Sequence, residues 1–206
     1  VLAIGGTLAF LTDRESKANV FTVGDVEIIL NEAEVDTAGE WTKDHDNRVT
    51  ENSYKLMPGH TYKKDPTVTV KAGSEEAYIR MLVTVSDINK VKAAFPAEEY
   101  ADFYNGDTFL LQQLVGGWNN TKWIPESVNG NVYEFRYFES VDATDADEDV
   151  VLDDLFETIT IPGTVDNEAL ANLNEVEISV VAHAIQVDTF EDEDAAWTAF
   201  DGQHQN

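Results

Sequence analysis

The stretch that most constrains this fold is Val1–Asp13 (VLAIGGTLAFLTD), because nothing else in the chain is so apolar. It falls well short of the roughly twenty residues that cross a bilayer, and it resembles the tail of a secretory h-region ending in small residues. Read at period two, Leu2, Ile4, Leu8 and Phe10 share one face, with Gly6 as a gap, while Ala3, Gly5, Thr7 and Ala9 share the other. That pattern predicts a strand with one bulky face and one slim face. The bulky face must be buried, either in the core of its own domain or in that of a neighbouring copy.

With 206 residues, 43% of them hydrophobic, the chain can build one sizeable core, and no composition shift divides it. We read residues 1–12 as an N-terminal strand or a signal remnant, and residues 13–206 as a single domain. The balance of 13 basic against 40 acidic residues, a net charge of −27, argues against nucleic acid or an anionic membrane surface as partner. Such acidity suits a crowded surface protein or one that holds cations. The absence of cysteine excludes disulfides, thiolate zinc and thiol catalysis together. No second long apolar run follows the first, so no membrane span is expected in the mature chain.

Asp13–Asn19 reads as a polar link. Val20–Leu30 (VFTVGDVEIIL) reads as a strand pair or one bent strand, with the bend at Gly24-Asp25. Asn31–Asn52 is polar and acidic around Trp41 and reads as an extended surface loop. Pro66–Lys71 (PTVTVK) and Ala77–Ser86 (AYIRMLVTVS) alternate and are β-branched, which predicts antiparallel strands joined through residues 72–76. From Asp87 to Tyr104 the period changes, predicting two short helices broken at Pro96. Asp107–Val115 is ambiguous between helix and strand. Residues 122–124 and Val132–Phe138 (VYEFRYF) predict a hairpin with Asn129-Gly130 as its turn. An acidic run, Asp142–Asp154, precedes a strand at Leu155–Ile161 and a short helix at Asp166–Leu173. Val176–Val187 (VEISVVAHAIQV) predicts a long central strand, because its near-continuous apolar run implies cover on both faces. Asp192–Phe200 closes as a short helix with acidic residues in its first turn, where the dipole favours them. The economical architecture is an all-β antiparallel sandwich with short helical insertions and an extended N-terminal strand.

The residues also carry a family resemblance. Gly6–Asp13, then Asn19–Gly24 followed by Val26, Ile28 and Leu30, resemble the TasA/camelysin family of secreted bacterial matrix-fibre proteins. Met57–Gly59 with Lys64–Pro66, Ala77–Val83, and Ala182–Gln186 with Ala195–Trp197 extend the likeness in the same order. It is good at both ends and poor from about Asp87 to Asp154. The resemblance implies a jelly-roll sandwich, an extracellular location in a biofilm or cell-surface matrix, and self-assembly into a head-to-tail filament by strand exchange. A matrix polysaccharide or an accessory anchor protein is a further partner in that reading. The strand would be donated through Leu2, Ile4, Leu8 and Phe10. In the family the export cut usually falls after the residue matched by Ala9, which would make Val1–Ala9 a signal remnant.

Catalytic patterns are missing. His45, His60, His183 and His204 are scattered, with no His-Glu-x-x-His, which counts against a protease. His183, inside an apolar run, reads as a structural or edge histidine before a ligand. Ser179 has no base at readable spacing, and neither Gly5-Gly6 nor Gly116-Gly117 continues as a phosphate loop. Among forty acidic residues, candidate acid and base pairs are too numerous to mean anything. We therefore expect no enzyme. Calcium is the one cofactor with a motif behind it, since Asp145, Asp147 and Asp149 alternate like the first ligands of an EF-hand loop. The loop then fails, with Val150 where glycine belongs and Phe156 where the bidentate glutamate belongs, so a solvated acidic loop competes. Asp44–Asn47 is a weaker second candidate. Trp41, Trp118, Trp123 and Tyr133 pose an alternative function, a monomeric surface adhesin or carbohydrate-binding sandwich, if two or more form an exposed coplanar strip.

Overall fold

The computed structural model describes residues 7–8, 19–43, 45–94, 114–173, 176–188 and 190–204. Over these it is a mostly antiparallel β protein with three sheets and three short helices. The largest sheet is built on β13 (Ile178–Gln186), which pairs antiparallel along its whole length with β7 (Ala77–Val85). Beyond β7 lie β10 (Val132–Tyr137) and β9 (Trp123–Asn129). On the other side of β13 lie β1 (Thr7–Leu8) and, running parallel to it, β2 (Asn19–Val23). A second sheet has the order β11 (Val150–Val151), β6 (Thr67–Val70), β3 (Ile28–Ala33), β4 (Arg48–Val49). A third joins β5 (Thr61–Lys63), β12 (Thr158–Thr160) and β8 (Val115–Gly116).

The core follows from strand alternation. Ile79, Met81 and Val83 of β7, Val180, Ala182 and Ala184 of β13, and Tyr133 and Phe135 of β10 bury one face of the large sheet. Val68 and Val70 of β6 and Ile28 and Leu30 of β3 belong to the same apolar cluster, as do Tyr62 and Ile159 of the third sheet. All three sheets thus share one main core. The helices sit in connections. They are α1 (Ile88–Ala94), α2 (Asn167–Leu173) and α3 (Glu193–His204). Asp166 and Asp192 cap the last two, each accepting a 2.8 Å bond from the backbone N–H three residues on.

The expected pairing of Pro66–Lys71 with Ala77–Ser86 is corrected. Both strands form, but β6 pairs with β3 and β11 in one sheet while β7 pairs with β13 and β10 in another. Residues 71–76 are an arch between sheets, not a hairpin turn. The backbone N–H of Lys71 donates to the Glu27 carbonyl and that of Glu75 to the Asp25 carbonyl, at 2.9 and 3.0 Å. The arch therefore stacks on a second one, Gly24–Glu27, which carries the chain from β2 to β3. Gly24 has φ of 98°, and a Cβ there would meet the Gln186 side chain at 2.4 Å, so glycine is required on both counts. The bend read at Gly24-Asp25 is real and separates two sheets.

Asn31–Asn52 is more anchored than a surface loop. β3 runs on to Ala33, β4 returns beside it, and Val35 bridges to Trp41. The hairpin of β9 and β10 forms, but its two-residue turn is Gly130-Asn131, one residue beyond the expected Asn129-Gly130, because Asn129 pairs with Val132; β9 extends through Pro125. Proline is tolerated there because β9 is the last strand of its sheet, and the register shifts at the same place. The helix expected after Pro96 and most of Asp107–Val115 lie outside the described residues.

Candidate functional site

The N-terminal segment meets the fold at the central strand β13. Its inward residues Ile178, Val180, Ala182 and Ala184 are buried in the main core. On its outward face Ser179 and Val181 are half-buried, while His183 and Ile185 are buried. Cover on both faces therefore begins only at His183, where α3 packs: Ile185 joins Ala196, Trp197 and Phe200 in a small second cluster.

Two segments share the outer edge of β13. The antiparallel strand β1 sets Thr7 opposite Val180 and Leu8 opposite Ser179. The parallel strand β2 then runs from Asn19 opposite Val181 to Val23 opposite Ile185. Of the four large residues expected on the N-terminal strand, Leu8 is placed by its backbone in this ladder. Leu2, Ile4 and Phe10 lie outside the described residues.

The acidic run is not gathered into a site. Asp145 and Asp147 are exposed. Asp149 is an acceptor for Lys71 Nζ and, at 3.0 Å, for the backbone N–H of Ala72. Its bond from Lys71, followed by that from Ala72, holds the Asp149 carboxyl below the usual aspartate value. Among the described residues no group of three or more acidic, histidine or cysteine side chains is arranged to hold a metal. In the weaker loop, Asp44 lies outside the described residues and His45 packs on Trp41 with ring centres 4.3 Å apart.

The four aromatics do not form a platform. Trp123 and Tyr133 are buried, and the Trp123 indole donates to the Asp153 carbonyl at 2.9 Å. Half-buried Trp118 packs edge-on against Phe135 and parallel to Phe156. Trp41 is half-buried as well.

Sequence reading missed a buried polar centre beneath β3. Lys64 Nζ donates to Glu32 Oε2 at 2.5 Å, and both side chains are wholly inaccessible. Beside them Arg48 pairs with Asp65 at 2.5 Å, and Asp65 also accepts the Ala33 backbone N–H at 2.7 Å. Burial raises the Tyr54 phenol well above its ordinary value, and the Glu32 and Asp65 carboxylates push it the same way. A signal for this centre was present. At period two Glu32 falls on the face of Ile28 and Leu30, an inward position for a charge, which only a buried partner makes tolerable.

Among the described residues no helix is long and apolar enough to cross a membrane. No family model, curated protein or solved structure matches the chain.

Proposed function

We propose that this chain is a structural subunit of an extracellular fibre in a biofilm or cell-surface matrix, polymerising as it donates its N-terminal strand to the next subunit. The reading treats the protein as a jelly-roll-like β-sandwich with no enzymatic role, and Leu2, Ile4, Leu8 and Phe10 as the residues that dock. The observation that supports it is the crowding of the β13 edge. An antiparallel ladder continued toward the N-terminus from Thr7 would run opposite Val181 and the residues after it, where Asn19–Val23 are already paired. A twelve-residue strand, about 40 Å when extended, therefore has no continuous course along its own central strand. Among the described residues β2 pairs with β13 alone, which makes its outer side the edge where the reading seats a further strand. A copy's strand laid there gains ladder hydrogen bonds, as in other cases of strand addition. Head-to-tail donation does not close, so it builds a filament rather than a dimer.

The two-residue ladder of β1 favours one rival, a monomeric surface adhesin whose N-terminal strand stays in its own sheet. Deleting Val1–Phe10 separates the two. Donation predicts that filaments seen by electron microscopy vanish while a soluble folded monomer remains. Polymerisation of the truncated protein would refute it.

A further inference from the structure

We propose that Asn119 is an N-glycosylation site, its side-chain nitrogen taking an oligosaccharide as the chain is exported. The inference rests on the extracellular reading above, because only an exported chain meets the lipid-linked oligosaccharides that serve as donors outside the cytoplasm. Asn119-Asn120-Thr121 is the one place in the chain where serine or threonine stands two residues after an asparagine, and no proline intervenes. Such a tripeptide takes a glycan where it lies on an accessible surface loop. The pattern alone is common, so its placement decides.

Residues 119–122 form a turn between β8 and the start of β9. The Asn119 carbonyl accepts the N–H groups of Lys122 at 3.2 Å and Trp123 at 2.9 Å, while its own N–H donates to the Leu155 carbonyl at 3.2 Å. On one flank Trp118 packs against Phe135 and Phe156, and on the other Trp123 is buried. The turn is thus held by its backbone and by two flanking indoles, which leaves its own side chains outside the core. Asn120 and Thr121 are exposed, and Asn119 is half-buried. Thr121 Oγ1 donates to Asn119 Oδ1 at 3.1 Å. Nδ2 of Asn119 has no hydrogen-bond partner among the described residues, and it is not one of the buried polar atoms left without a partner, which are Glu32 Oε1 and Trp118 Nε1. That nitrogen therefore reaches water.

The transfer balances without a redox step. Nδ2 gives up one proton to a base of the transferase and bonds to the anomeric carbon of the first sugar. The bond from that carbon to the lipid-linked diphosphate breaks, and the diphosphate leaves with the electron pair. The product fits the folded turn: the second Nδ2 hydrogen stays, Oδ1 keeps its bond from Thr121, and the sugar displaces only solvent. Its root also stands clear of the edge assigned to the donated strand. β9 is the last strand of the large sheet, and four strand spacings of about 4.8 Å, through β10, β7 and β13, separate it from β2.

Peptide mapping by mass spectrometry of the protein purified from its own source tests this, with secreted and cell-bound material kept apart. The tryptic peptide 93–122 of the secreted protein should carry the mass of an oligosaccharide, localised to Asn119 by electron-transfer fragmentation. Asn119→Gln and Thr121→Ala should each remove that mass entirely, whereas Asn120→Gln and Thr121→Ser should keep it. Circular dichroism should show all four variants folded, since the side chains concerned share one surface hydrogen bond. Where a variant fails to fold, the wild-type map decides alone. Unmodified Asn119 in secreted wild-type protein overturns the proposal and leaves the fibre reading standing, as does a glycan on Asn120 or on a hydroxyl instead. A chain found only inside the cell overturns both. Filaments of the Val1–Phe10 deletion that still carry the glycan overturn the strand reading alone.

Discussion

Replacing Lys64 with methionine is the sharpest probe of the buried polar centre. The wild-type pair is 2.5 Å apart with no exposure on either side chain, and Glu32 Oε1 has no hydrogen-bond partner. Lys64→Met keeps an unbranched stem, one heavy atom shorter, and leaves the Glu32 carboxylate without its cation in the core. Removing one partner of such a pair costs about 3–5 kcal/mol, a large share of a total stability of about 5–15. At about 2–4 °C per kcal/mol for a chain of this size, the melting point should fall by about 6–20 °C. Lys64→Met with Glu32→Leu removes both charges and should recover most of the loss, or exceed the wild type by about 1–4 kcal/mol, because two desolvation penalties vanish with one attraction. Urea unfolding followed by circular dichroism gives all four corners of the double-mutant cycle. A Lys64→Met cost under about 1 kcal/mol, or a double variant worse than the single, would refute the reasoning.

Val180 is inaccessible at the centre of β13, so Val180→Asp should leave no soluble folded protein; a normal thermal melt would contradict its placement in the core. Tyr137 donates its hydroxyl to Asp153 Oδ2 at 2.9 Å, and burial, then that bond and the carboxylate charge, push the phenol up to about 12. The folded value lies above the unfolded one, so this stabilisation is complete below about pH 10 and is lost as pH rises through about 12. Ultraviolet titration at 295 nm should lose one of its late-titrating tyrosines in Tyr137→Phe, and stability measured between pH 10 and 12 should fall less steeply in that variant.

Much of the element list was legible because it depends on local pattern. The alternation of Ala77–Ser86 and Val132–Phe138, the long run of Val176–Val187 and the short helices begun near Asp166 and Asp192 each describe what a short segment does by itself. Partner choice was not legible in the same way. Six residues between β6 and β7 satisfy a hairpin and an inter-sheet arch equally well, and the choice rests on backbone bonds to Asp25 and Glu27, about fifty residues away in sequence. The polar centre failed for the related reason that a charge at an inward strand position looks like a strand end until its partner is known.

What the sequence determined alone was the β class, the bend at Gly24 and the central run with its buried valines. Those properties follow from side-chain periodicity and backbone sterics, which act over a few residues. Only the tertiary structure decided that β2 occupies the β13 edge beyond Thr7, that Lys64 meets Glu32, and that Arg80 of β7 pairs with Asp201 of α3. Each is a contact between distant parts of the chain, selected by the burial and hydrogen-bond satisfaction of the whole fold rather than by any segment's own preference.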